Sequence, residues 1–128
     1  MKNNPAMSPL EEKSEAFADR IISLSDFYLD TDKRVKYSLQ VMVKQITRSG
    51  TSIGANIAES TFAQSKNDLK NKLSVALKEA NETRYWLRRL LGKGHMEVNA
   101  YESMCSDVNE IIYMLIASIN TINNGEKN

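Results

Sequence analysis

At 128 residues and a formal net charge of +1, the chain is long enough for one domain with a modest core, and its charge alone promises neither nucleic acid nor membrane. Its single cysteine, Cys105, excludes an internal disulfide framework and a cysteine-rich metal site. The longest apolar run, Ile111 to Ala117, falls far short of the roughly 20 residues a membrane span requires, and the polar opening Met1–Leu10 lacks a secretory h-region. A soluble, reducing, cytoplasmic setting without membrane contact is expected.

Charge is distributed unevenly. Residues 1–32 carry three basic and seven acidic side chains, residues 33–94 thirteen and four, and residues 95–128 one and five. A basic middle between two acidic ends can pair with them inside the fold or expose one basic surface.

Few breakers interrupt the chain: both prolines lie at its start, and glycine occurs five times. The first helix is expected from about Pro9 to Leu29, capped by Ser8, with Phe17, Ile21, Leu24 and Tyr28 on its apolar stripe. The second is expected from about Lys33 to Ser60, with Leu39, Met42, Ile46, Ser49, Ile53 and Asn56 repeating at alternating spacings of three and four. Gly50, Gly54 and Ala58 line one flank, where a neighbouring helix can approach closely. Ser65-Lys-Asn-Asp68 reads as a capping box opening a third helix, whose stripe is Leu69, Leu73, Ala76, Ala80, Thr83, Leu87 and Leu90 and which Gly92-Lys-Gly94 ends. The fourth helix is expected from Glu97–Asn99 to about Ile122. These elements predict an all-α, antiparallel up-down-up-down four-helix bundle over 9–122. Residues 1–8 are expected to form a flexible tail and 123–128 a frayed one.

Helix four is apolar over a wider arc than the roughly 100° a bundle helix buries. Ile112, Ile116 and Ile119 lie to one side of its seam and Met114 to the other, while Val75 and Trp86 lie off the seam of helix three. A lone bundle should expose these six, so they are the expected surfaces of a homo-oligomer.

No Walker loop, G-x-G-x-x-G, H-E-x-x-H or C-x-x-C motif occurs, and the Glu-x-x-His pairs of di-metal bundles are missing. His95, the only histidine, falls in a turn, away from the core-facing Cys105. No enzyme activity, cofactor or metal is therefore expected. Glu59 and Glu79 lie beside apolar seams and are expected to bond Ser52, Asn56 or a nearby lysine, fixing register. On helix three, Lys66, Lys70, Arg84 and Arg88 fall on one flank, a stripe suited to gripping phosphates. Its alternative is a solvated face, or ion pairs to the acidic first and fourth helices.

Arg48-Ser-Gly-Thr-Ser-Ile-Gly-Ala-Asn-Ile-Ala-Glu59, with Ala63-Gln-Ser-Lys66 and Lys72-Leu-Ser-Val-Ala-Leu-Lys-Glu-Ala80, closely resembles the small bacterial four helix bundle proteins, or 23S ribosomal RNA intervening-sequence proteins. The opening Glu12-Lys-Ser-Glu-Ala-Phe17 and the Gly92–Gly94 turn extend the resemblance over nearly the whole chain. It implies antiparallel bundles assembled into homopentameric rings, and a structural part for Ser52, Asn56 and Glu59. A related branch, the accessory protein of diversity-generating retroelements, binds nucleic acid and a reverse transcriptase through a strongly basic surface, from which this nearly neutral chain departs. The expected function is a non-catalytic oligomeric scaffold or adaptor binding RNA, DNA or a nucleoprotein through the basic stripe. The alternative is a module that binds only protein partners.

Overall fold

The structure, a computed structural model, describes residues 7–30 and 34–127, with side chains to residue 125. Four α-helices, and no strand, occupy the described residues: α1 (Pro9–Tyr28), α2 (Tyr37–Ser60), α3 (Lys66–Gly92) and α4 (Val98–Lys127). Each packs on the next, and α1 meets α4 to close the bundle; neither diagonal pair is in contact. Partners fix the direction of every pair. Ser14 and Ile21 of α1 lie against Gly54 and Gly50 of α2, and Arg48 and Glu59 of α2 reach Glu82 and Lys72 of α3. Arg84 and Lys70 of α3 bond Asn109 and Asn123 of α4, and Lys13 and Arg20 of α1 meet Glu110 and Asp107. As one residue number rises the other falls, so all four pairs are antiparallel.

Local chemistry explains most boundaries. Ser8 accepts the Glu11 N–H at 3.1 Å while the Glu11 carboxylate accepts the Ser8 N–H at 3.0 Å, a complete capping box. Of the expected tail 1–8, residues 1–6 lie outside the described residues and Ser8 is this cap. Ser65 accepts the Asp68 N–H at 3.0 Å, but the Asp68 carboxylate reaches past Ser65 to the Gln64 N–H at 3.2 Å. Asp is one methylene shorter than the usual Glu, and it bonds a different donor. At the end of α3, Gly94 has φ +76°, its N–H bonds Leu91 O at 3.0 Å, and the His95 N–H bonds Leu90 O at 2.9 Å. That is a Schellman turn, and it requires the left-handed backbone that only glycine adopts freely.

Two boundaries differ from expectation. Helix α2 begins at Tyr37, four residues after Lys33; Lys33 lies outside the described residues, while Arg34 to Lys36 are non-helical. Starting later keeps these cations out of the first turn, where the positive end of the helix dipole would repel them. Helix α4 continues to Lys127, five residues beyond Ile122. Ile122 still packs on the core, and Asn123 accepts a 3.2 Å bond from Lys70, so α3 supports the extra turn.

The core is a column of seam residues, with Phe17, Ile21, Ile46, Ile53, Leu87, Leu90, Ile111 and Leu115 at its centre. A Cβ on Gly50 would stand 2.8 Å from Ile21 Cγ1, and one on Gly54 would stand 3.4 Å from the Ser14 carbonyl oxygen. The small flank of α2 therefore receives α1. The expected exposure of the off-seam residues holds only in part. Ile112 is 5% exposed and belongs to the core; Trp86 and Ile119 pack against it, Val75 and Met114 are half-buried, and only Ile116, at 40%, counts as exposed. The bundle of α3 with α4 covers more of the wide apolar arc than a narrow seam would.

Candidate nucleic-acid interface

The fold divides the predicted stripe in two. Arg84 and Arg88 stand together on the α3 flank facing α4, whereas Lys70 lies 14 residues and about 21 Å nearer the start of the helix. Lys66 is exposed in the first turn of α3, and Lys70 bonds Asn123.

Arg84 is held from two sides. Its Nη1 donates to Asn109 Oδ1 at 2.8 Å and its Nη2 to Asn81 Oδ1 at 2.9 Å. Both acceptors are neutral, so the guanidinium is oriented while its charge and its remaining donors stay available. The Arg88 guanidinium carbon lies 5.6 Å from the Tyr85 ring centroid, a cation–π arrangement. Among the described residues no carboxylate pairs with Lys66, Arg84 or Arg88.

Two acidic side chains of α4 pair with α1. Asp107 receives Arg20 at 2.5 Å and Lys13 at 3.5 Å, and Glu110 receives Lys13 at 2.5 Å. Glu110 is the largest reason that the Lys13 ammonium is held above its ordinary 10.5. These ion pairs join the two acidic ends, α1 and α4, to each other and not to the basic middle, whose Arg48 and Lys72 pair with carboxylates of the middle itself.

Arg84 and Arg88 open onto a groove of about 780 Å³ between α3 and α4, whose opposite wall includes Tyr101, Cys105, Asn109 and Tyr113. Glu102 and Glu110 also line it. Asn109 and Tyr113 are the residues the sequence reading missed. They recur with Glu102 and Ser106 at spacings of four, three and four along α4, a helical flank pattern that becomes meaningful only beside α3.

The motif residues make their hydrogen bonds within the bundle. Ser52 Oγ donates to the Arg48 carbonyl at 2.7 Å and Asn56 Nδ2 to the Ser52 carbonyl at 2.9 Å, so both bond their own helix. Glu59 accepts from Lys72 at 3.0 Å, a lysine partner as expected. Glu79 bonds neither Ser52 nor Asn56; its Oε2 accepts from Arg48 Nη1 at 3.4 Å, while its buried Oε1 lies 3.2 Å from the same nitrogen without hydrogen-bond geometry. Arg48 Nη2 reaches Glu82 at 2.5 Å, which holds that carboxyl below its ordinary 4.5.

His95 and Cys105 line different cavities. His95 borders an apolar cleft of about 640 Å³ between α1 and α4 with Leu24, Phe27, Tyr28, Met96 and Met104, and its carbonyl accepts the Tyr28 hydroxyl. Among the described residues no group of three or more His, Cys, Asp or Glu could hold a metal ion. No described helix is long and apolar enough to cross a membrane.

The molecule is thus a four-helix bundle with a groove between α3 and α4 lined by two arginines and two tyrosines. The model of the 23S rRNA-intervening sequence protein family matches residues 10–117, and the chain belongs to that family. It is similar to a crystallised protein of unknown function from the S23 ribosomal protein family of Bacteroides thetaiotaomicron VPI-5482. The two share 47% identity and a TM-score of 0.78, over 86% of this chain and 97% of that one. Among curated proteins none matches.

Proposed function

We propose that this protein is a non-catalytic, homo-oligomeric cytoplasmic adaptor that binds RNA or DNA, free or within a nucleoprotein, through the Arg84/Arg88 groove. The carrying observation is Arg84, oriented by two amide oxygens and paired with no carboxylate among the described residues. A guanidinium so presented matches the fork geometry of a phosphate. Membership of a family named for intervening sequences in 23S rRNA supports a nucleic-acid setting. Net charge is only +1, so a single groove binds weakly; repetition in a ring, five-membered as the resemblance implies, raises the effective concentration of each further contact.

Titration against labelled structured RNA and duplex DNA at several salt concentrations tests the reading. The logarithm of affinity should fall linearly with the logarithm of salt. The Arg84→Glu/Arg88→Glu variant should bind far more weakly while keeping its sedimentation mass. Absence of binding by wild type at about 50 mM salt would overturn it.

The cleft between α1 and α4 favours a second reading, a module for protein partners alone. Phe27 stands 65% exposed at its edge beside Leu24 and Met96. A stoichiometric protein partner, captured equally with and without nuclease and lost in Phe27→Asp, would support it.

A further inference from the structure

We infer that the α3–α4 groove takes an unpaired nucleic-acid strand, with bases stacked on Tyr113 and phosphates on Arg84 and Arg88; this rests on the nucleic-acid reading of the groove. Tyr113 is 71% exposed on the wall opposite the arginines and has no hydrogen-bond partner among the described residues. Exposed aromatic rings also occur elsewhere on the chain, at Tyr37 and Phe62, but Tyr113 shares its groove with two arginines, and an open ring face there offers base stacking. Tyr101 lines the same groove, and the ring of Tyr85, 44% exposed, lies against the Arg88 guanidinium. Arginines interleaved with aromatic faces form the composition of single-strand channels.

The electrostatics argue in the same direction. A duplex is held mainly by many cations that displace its counterions. This groove has two arginines, and Lys13 neutralises Glu110, but Glu102 remains at the edge without a partner among the described residues. So small an excess of positive charge is poor for a duplex, and stacking must supply much of the affinity. Geometry agrees: the guanidiniums lie within a cleft between two helices, and a duplex presents its paired bases inward, away from Tyr113.

The test uses the intact protein with labelled oligouridylate and oligothymidylate of about 12 nucleotides, and with the thymidylate strand annealed to its complement. Single strands should bind at least about fivefold tighter than duplex, the lower limit for one stacked base. Tyr113→Ala should lose about fivefold or more on single strands and leave duplex affinity unchanged, while Tyr113→Phe restores binding. Tyr113 is outside the core, so circular dichroism and sedimentation should not change. Tighter binding of uridylate assigns the strand to RNA and of thymidylate to DNA, both within the inference. Duplex preference, or a neutral Tyr113→Ala, overturns the unpaired-strand inference; if Arg84→Glu/Arg88→Glu still abolishes binding, the groove reading survives. If the arginine reversal also leaves binding intact, both fall.

Discussion

Thr83 donates a 2.8 Å hydrogen bond to Ser49 Oγ across the α2–α3 seam, and neither residue is exposed to solvent. Ser49 in turn lies 3.4 Å from the Ile46 carbonyl, and Thr83 lies 2.8 Å from the Glu79 carbonyl. Two hydroxyls in an apolar column satisfy one another, and this fixes the register of the helices more sharply than apolar contact alone. Thr83→Val should cost about 1–3 kcal/mol in urea unfolding, because Ser49 loses its donor in a dry site. Thr83→Val combined with Ser49→Ala should recover most of that loss.

Gly50 and Gly54 should respond differently to alanine. At Gly50 the new methyl would meet Ile21 at 2.8 Å, inside the closest approach of real carbon atoms, so Gly50→Ala should destabilise by about 1–3 kcal/mol despite its better helix propensity. At Gly54 the nearest atom is 3.4 Å away, an ordinary contact, and Gly54→Ala should be neutral or stabilise by up to about 1 kcal/mol. Thermal melts of the two variants check the contrast.

The Arg48–Glu82 pair sets an acid dependence. Arg48 is the main reason the folded carboxyl of Glu82 sits below 4.5, with the Trp86 indole, 3.2 Å away, a lesser one; burial opposes both. A depressed folded value means the contribution is present above about 4.5 and is lost as pH falls through the lowered value. Arg48→Gln should therefore cost about 1 kcal/mol or less at neutral pH, since Arg48 is half-exposed. Its gap from wild type should narrow as the solution is acidified below that value, as read by urea unfolding at each pH.

Substitutions at Ile112 and Ile116 test folding and the proposed assembly separately. Ile116→Glu should lower the sedimentation mass and preserve helicity, because the side chain is 40% exposed on α4. Ile112→Glu should abolish cooperative folding, since it buries a carboxylate among Val108, Ile111 and Leu115. An Ile116→Glu protein with unchanged mass would remove this face of α4 from the proposed subunit contact.

The amino-acid sequence by itself determined the four helices, their caps at Ser8 and Ser65, the stop at Gly94 and the close approach at Gly50. Each follows from short-range chemistry: a 3.6-residue period, a side-chain acceptor three residues before an orphan N–H, or a left-handed φ. It also put Arg84 and Arg88 on one flank, since they are one helical turn apart. Tertiary structure alone decided what that flank faces. Antiparallel register brings Asn109 to Arg84 and sets Tyr113 across the groove, 29 residues along the chain from Arg84. The same packing sent Asp107 and Glu110 to α1, took Ile112 into the core and carried α4 beyond Ile122. Periodicity defines a face of one helix. Which neighbouring side chains cover it depends on where the adjacent helices lie and in what register.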